Sequence, residues 1–242
     1  MQPRILFQTL AIGEHRLDAQ TSHHLAVVLR AQAGQLVTLF DGQGQEGQGK
    51  ITAVQRSDVT VCVTAVEHVL RESPLAITVV QSLCTGDKMD WVIQKATELG
   101  AAVIVPLAAA RSVLKLEGVR AAKRVAHWAA TAQAASAQSG RTLVPRIRPI
   151  QTLHEVLDER RQSPSPKTAV YLDPFAAQGL SETQISGPIT LMIGPEAGWS
   201  DDEEALMQRA GFRGVRCGPR ILRTETAALV ALTALAIRAG EF

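Results

Sequence analysis

The run Ile189-Thr190-Leu191-Met192-Ile193, followed at once by Gly194-Pro195-Glu196-Ala197-Gly198-Trp199-Ser200, restricts the fold more than any other stretch of the chain. Five consecutive apolar or β-branched residues have the character of a buried strand. Ser200 with Glu203 three positions on reads as a capping box that opens a helix, and Gly211 is placed to close it. The stretch between them is therefore a strand-to-helix loop. Open α/β sheets gather ligands outside the carboxyl ends of their strands, and Gly194 and Gly198 are residues past which a ligand approaches the backbone closely. A purely structural turn is the alternative, and this loop alone does not decide.

The same alternation runs through the later part of the chain. Residues 76–81 and 103–107 read as strands flanking a helix over 88–99, whose apolar face is Met89, Val92, Ile93, Ala96 and Leu99. A long Ala-rich helix follows over 117–138, then strands over 168–173 and 189–193, a short strand over 214–217 and a final helix over 226–239. That last helix is apolar nearly all round, as helices buried in a core or a subunit interface are. Residues 160–167, with Pro164 and Pro166, read as an exposed connection. The alternation implies an α/β domain.

Earlier residues read differently. Short strand-like runs at 35–40, 49–54 and 59–63, separated by turn chemistry, suggest a small β-barrel or sandwich, with one short helix over 22–30 leading into it. The composition changes around Arg71-Glu72-Ser73-Pro74, which sets two domains, 1–73 and 74–242. Hydrophobic residues at 46% suffice for a core in each.

Charge and cysteine usage exclude several classes. Lys and Arg total 25 against 23 Asp and Glu, a net +2, so no global field announces a nucleic-acid binder, although a local basic face stays open. Cys62, Cys84 and Cys217 are odd in number and widely spaced, which suits buried thiols in a reducing compartment better than a disulfide framework or a metal site. The six histidines offer no helix-spaced ligand pair, so no metal is expected. The amino-terminal residues have no long apolar core, and the apolar stretch 229–237 is far short of the roughly 18 residues of a membrane span. A soluble, cytoplasmic protein is expected.

One motif misleads. Gly42-Gln43-Gly44-Gln45-Glu46-Gly47 spells GxGxxG after a strand, but a strand pattern follows where a dinucleotide fingerprint needs a helix, so a Gly-rich hairpin is the better reading. Neither a G-x-S-x-G elbow nor a P-loop is present.

A second unusual stretch runs Cys217-Gly218-Pro219-Arg220-Ile221-Leu222-Arg223-Thr224-Glu225-Thr226-Ala227, again between a strand and a helix. Thr224 reads as the N-cap, while Ala227 stands where a capping box wants an acid. Glu225 is thus unexplained by reciprocal capping, although the macrodipole favours an acid there. The two Gly-bearing loops are placed to form two walls of one pocket.

Here the chain resembles a known family. "GPEAGWSDDE" followed by "CGPRILRTETAAL" is similar to the paired carboxy-terminal motifs of the RsmE family within the SPOUT methyltransferases, which methylate N3 of a uridine in 16S ribosomal RNA of the small subunit. "DKMDWVIQKATELGAAVIVPL" and "AQSGRTLVPRI" match other stretches of that family, and "HHLAVVLRAQAGQLVTLFDGQG" resembles its PUA-like amino-terminal domain. The resemblance implies an α/β domain with a deep trefoil knot, S-adenosylmethionine held among the knotted loops, and a homodimer packed partly through the last helix. Carried over by motif, the cofactor site comprises Gly194, Glu196, Gly198, Gly218, Ile221, Leu222, Arg223, Thr224 and Thr226, mostly through the backbone. Two positions depart from the pattern. Ala197 replaces a frequent Gly, so that position should not need a left-handed backbone, and Ala137 replaces an acid often found before the Gln-Ser-x-Arg stretch.

Methylating uracil N3 requires near-attack positioning and help in removing the ring proton or stabilising the developing anion. Arg141 and Arg223 are candidate donors; Glu196 and Glu225 are candidate bases, or else they hold the cofactor or the loop. Lys88 and Lys95, with Trp91 between them on one helical face, and Arg111 after a strand would border the pocket and meet RNA; for the two lysines a solvated surface is the alternative. Arg4, Arg30 and Arg141 would add phosphate contacts that position RNA without reading sequence. The target base must be unpaired or flipped out. The competing expectations are a related SPOUT enzyme acting on another nucleotide or a ribose hydroxyl, and a non-catalytic RNA-binding assembly factor.

Overall fold

In the computed structural model, which describes residues 2–55, 58–69, 71–162 and 168–242, the chain divides into two units. The first comprises Met1–Glu72 together with Ser136–Val144, a segment that a boundary drawn along the sequence cannot include. It holds a five-stranded sheet ordered β1-β3-β4-β5-β2, from β1 (Arg4–Leu6), β2 (Gly13–Arg16), β3 (Leu36–Phe40), β4 (Gln45–Gln55) and β5 (Asp58–His68). β1 runs parallel to β3 and the other pairs are antiparallel. Val37, Leu39, Ile51, Val59, Val61 and Val63 point to one core, the period-two signature of strands with one buried face. β1 and β2, three and four residues long, are too short for such a pattern and have no counterpart in the sequence reading. The GxGxxG stretch forms the β3–β4 connection and the start of β4, with Gly42 and Gly44 at φ +78° and +114°.

The short helix of this unit is displaced from expectation. Asp18 caps α1 (Ala19–His23) by accepting the Thr21 amide at 2.9 Å, and a π turn over His24–Val28 continues it. The element thus starts before residue 22 because the cap lies upstream, and it is over before Arg30, which takes a left-handed φ of +50°.

The second unit, Ser73–Ala135 with Pro145–Phe242, is built on a parallel sheet. Its strands are β6 (Ile77–Ser82), β7 (Val103–Ala108), β8 (Arg146–Ile147), β9 (Gln151–Thr152), β10 (Thr168–Leu172), β11 (Ile189–Ile193) and β12 (Arg213–Val215). The order is β12-β10-β11-β6-β7-β8, with β9 also on β7. The helices are α2 (Lys88–Glu98), α3 (Gly118–Ser139, whose last turn falls in the first unit), α4 (Leu153–Arg161), α5 (Asp201–Arg209) and α6 (Thr224–Arg238).

Both faces of the sheet are covered, which is why the strands are apolar without alternation. Val79, Leu191 and Ile193 pack with α2, with Trp128 and Ala132 of α3 and with Ala228, Leu232 and Leu235 of α6. Val80, Met192 and Tyr171 face Leu153, Val156 and Leu157 of α4 and Met207 of α5. Met89, Val92 and Ile93 of α2 are fully buried, each stabilising the fold by about 1.5–3 kcal/mol.

Three boundaries differ from expectation. Arg160 and Arg161 belong to α4, which the Thr152–Glu155 capping box starts, rather than to a connection; residues 163–167 lie outside the described ones. β12 ends at Val215, and α6 begins at Thr224 instead of 226. Among the described residues no helix is long and apolar enough to cross a membrane.

Candidate active-site pocket

A cavity of about 640 Å³ opens at the carboxyl ends of β10, β11 and β12. Two of its walls are the Gly-bearing loops, contributing Gly194, Glu196, Ala197 and Gly198 from one and Ile221, Leu222, Arg223 and Thr224 from the other. The third wall, Asp173-Pro174-Phe175 after β10, was missed in the sequence, although Asp-Pro directly after a strand is a turn signal. Lys88 and Arg111 complete the rim.

The two glycines of the first loop do different work. A Cβ on Gly194 would lie 3.1 Å from the Trp199 indole, which is buried and donates Nε1–H to the Leu172 carbonyl at 3.2 Å. The space that the sequence assigns to a ligand's approach at Gly194 is therefore filled on that side by the loop's own tryptophan. Gly198 has open space around it and needs its freedom for φ +71°. Ala197 keeps a negative φ, as its side chain requires.

The loop is anchored from beyond. Ser200 and Glu203 form the expected capping box, and the other carboxylate oxygen of Glu203 accepts the Ala110 amide at 2.8 Å. Arg111, next to Ala110, donates Nη1–H to the Trp199 carbonyl at 2.7 Å and to that of Ala197 at 3.4 Å.

Thr224 is the first residue of α6, and Arg223 occupies the N-cap without a side-chain capping bond, which corrects the expected cap. The buried Thr224 hydroxyl accepts from Gln81 Nε2 at 2.9 Å and donates to the Gly194 carbonyl at 2.7 Å. One side chain thus joins the end of β6, the loop after β11 and the start of α6.

Charge is concentrated on two sides. Lys88 Nζ lies 3.1 Å from Glu196 and 3.7 Å from Glu225, so the first residue of α2 holds both acids. Burial opposes ionisation of Glu196, but hydrogen bonds from its own backbone N–H and from Lys88 outweigh it and keep the carboxyl below its usual range. Behind them, burial and the two carboxylates push the Cys84 thiol up to about 12. On the opposite side, burial together with the charges of Asp173 and Asp201 raises Glu204, which also lines the cavity.

The remaining expected residues are distributed as follows. Arg223 and Arg220 are exposed on the rim. Gly218 borders a smaller cavity of about 370 Å³ beside Gly179 and Val230, while Glu225 and Thr226 do not line the main one. Lys95 also lies off the cavity, 2.8 Å from Glu98 and 5.2 Å from the Trp91 ring centroid. In the first unit, Arg4 is committed to Glu46 (2.8 Å), the Arg141 carbonyl (3.0 Å) and the face of Phe40, which removes it from a surface that meets phosphate. Arg141 is 6% exposed and paired with Glu72 at 2.6 Å. Arg30 is exposed. Among the described residues, no three His, Cys, Asp or Glu side chains gather as metal ligands do.

Comparison with known proteins supplies context for this geometry. A family model described as an RNA methyltransferase domain matches residues 71–236, and one described as an RNA methyltransferase PUA domain matches residues 17–62. Ribosomal RNA small subunit methyltransferase E of Bacillus subtilis is 34% identical over 230 residues, covering 90% of this chain and 88% of the relative. The crystal structure of ribosomal RNA small subunit methyltransferase E from Neisseria gonorrhoeae bound to S-adenosyl methionine superposes with a TM-score of 0.91 at 36% identity, over 98% of each chain. A putative methyltransferase from Legionella pneumophila, solved with the cofactor SAM, gives 0.91 at 33% identity, also over 98% of each.

Proposed function

The chain belongs to the RNA methyltransferase family that includes ribosomal RNA small subunit methyltransferase E, and from that premise we propose that it methylates N3 of a uridine in 16S ribosomal RNA, using S-adenosylmethionine. The observation that carries this reading is the cavity walled by both motif loops at the strand ends. Its contents suit the cofactor: Leu172, Ile193, Val215 and Ala227 supply apolar surface, the two loops supply backbone edges, and Asp173, Glu196 and Glu204 stand among Lys88, Arg111, Arg220 and Arg223 as polar groups of both signs. Bound there, the cofactor supplies an electrophilic methyl group. Gly194, Glu196, Gly198, Ile221, Leu222, Arg223 and Thr224 would hold it, with Gly218 and Thr226 shaping the second loop.

The chain's own residues then orient the base and manage its proton. Arg223, exposed at the rim and free of a capping bond, is the donor placed to stabilise negative charge on the uracil ring. Of the two base candidates, Glu196 reaches the cavity wall, whereas Glu225, in the first turn of α6 and off the cavity, shares Lys88 with it and helps position that lysine. Arg30 in the first unit, and Lys88, Lys95 and Arg111 in the second, are assigned to RNA, whereas Arg141, enclosed with Glu72 as Arg4 is with Glu46, holds the first unit together instead. The PUA-like domain, residues 1–73, grips RNA while residues 74–242 perform the chemistry. The trefoil knot, a homodimer through α6 and action on the small ribosomal subunit in the cytoplasm belong to the same reading.

The test is to incubate the protein with S-adenosylmethionine and unmodified small ribosomal subunits and to identify methylated nucleosides by mass spectrometry. N3-methyluridine is expected. A different methylated nucleoside, or none despite cofactor binding, would overturn the assignment.

A further inference from the structure

Between Arg111 and His127 the chain carries five Lys or Arg residues against one acid, Glu117, in a protein whose overall charge is only +2. Three of the five, Arg120, Lys123 and Arg124, stand at i, i+3 and i+4 on α3 and therefore share one face. All three are exposed, and none has an ion pair among the described residues. Arg120 lies in the first turn, where the helix macrodipole favours acids, and that turn has none. Local helix stability therefore does not explain the arrangement. One turn further on, His127 Nε2 and Trp128 Nε1 both hold Asp90 of α2, at 2.8 and 2.9 Å, which fixes the stripe beside the half-exposed Trp91.

We infer that this face of α3 is a docking surface for the phosphodiester backbone of the RNA substrate. The inference rests on the RNA reading given above and adds to it a surface outside the pocket. Charge complementarity identifies the occupant. From Arg120 to His127 the helix rises about 10 Å, the span of roughly three phosphates along one strand. Arg111, at the cavity rim, begins the same basic segment of the chain.

The experiment compares the full chain with the triple variant R120Q/K123Q/R124Q, using unmodified small-subunit RNA at several salt concentrations. Calorimetric S-adenosylmethionine binding serves as the control for an intact fold. The expected result is at least a tenfold rise in the RNA KM near physiological salt with kcat within about twofold, and a salt dependence of RNA binding shallower by about two to three phosphate contacts. R120K/R124K should restore most of the affinity. Unchanged RNA KM and salt slope in a folded triple variant would overturn the inference while leaving the methyltransferase reading intact. A changed oligomeric state with unchanged RNA parameters would do the same and mark the face as a protein interface. A wild-type chain that binds cofactor and neither binds nor methylates RNA would overturn both.

Discussion

The Thr224 hydroxyl donates to the Gly194 carbonyl across 2.7 Å, so the start of α6 is tied directly to the loop leaving β11. Gln81 Nε2 completes the chain from the end of β6 at 2.9 Å. Thr224→Val keeps the shape but takes from the Gly194 carbonyl its Thr224 donor and from the buried Gln81 amide one of its two oxygen acceptors, the Ser82 carbonyl at 3.1 Å remaining, at a cost of about 1–3 kcal/mol. The expected outcome is a lower Tm together with a raised KM for S-adenosylmethionine, both restored by Thr224→Ser. A Val variant with wild-type cofactor KM would show that the two loops are held by other contacts.

Gly194 and Gly198 separate two reasons for a glycine. Gly194→Ala places a methyl group 3.1 Å from the Trp199 indole and must displace it, an overpacking cost of about 1–3 kcal/mol. Gly198→Ala meets no atom but must adopt φ +71°, at about 1–2 kcal/mol. The first variant should change the tryptophan emission of the protein and the second should not, although both lower Tm.

These positions also show what a sequence can convey. The strand at 189–193 and the Ser200–Glu203 box were legible because burial on both faces and reciprocal capping each leave a local pattern. The tie between Gln81, Thr224 and Gly194 was not, because it joins residues 143 and 30 positions apart that only the parallel sheet brings together. Gly194 looked like a ligand's clearance because the neighbour that fills it, Trp199, reaches back across the turn. Arg4 looked like a phosphate contact because nothing near it in sequence reveals that Glu46 and Phe40 enclose it. Asp173 was overlooked for want of a glycine, although it follows a strand as the other two walls do.

Two cavity carboxylates should respond to pH with opposite sign. Glu196 is held below its usual range, so its contribution to stability is present above the unfolded pKa, about 4.3, and is lost as pH falls through the folded value. Glu196→Gln should therefore lower Tm at neutral pH, with the deficit closing in acid. Glu204 is raised, so the folded state is favoured below the unfolded pKa and that advantage is lost as pH rises through the folded value. Glu204→Gln should raise Tm at pH 7, and the gain should vanish below about pH 4. Melting curves from pH 3 to 8 check both, and parallel curves for the two variants would contradict the assigned environments.

The sequence suggests RNA contacts for both Arg4 and Arg30, yet their surroundings demand different behaviour. Glu46, 5% exposed, is neutralised by Arg4 at 2.8 Å and Arg71 at 2.7 Å. Arg4→Ala strands much of that buried charge and should cost about 3–5 kcal/mol, seen as faster hydrogen exchange across β1, β3 and β4. Arg30 is exposed, takes φ +50° and has no ion pair among the described residues. Arg30→Gly removes the charge and suits the backbone, so stability should hold or rise by a few tenths of a kcal/mol while the salt slope of RNA binding falls by about one. If Arg4→Ala instead weakened RNA binding in a fully protected first unit, its enclosure by Glu46 and Phe40 would not be its main role.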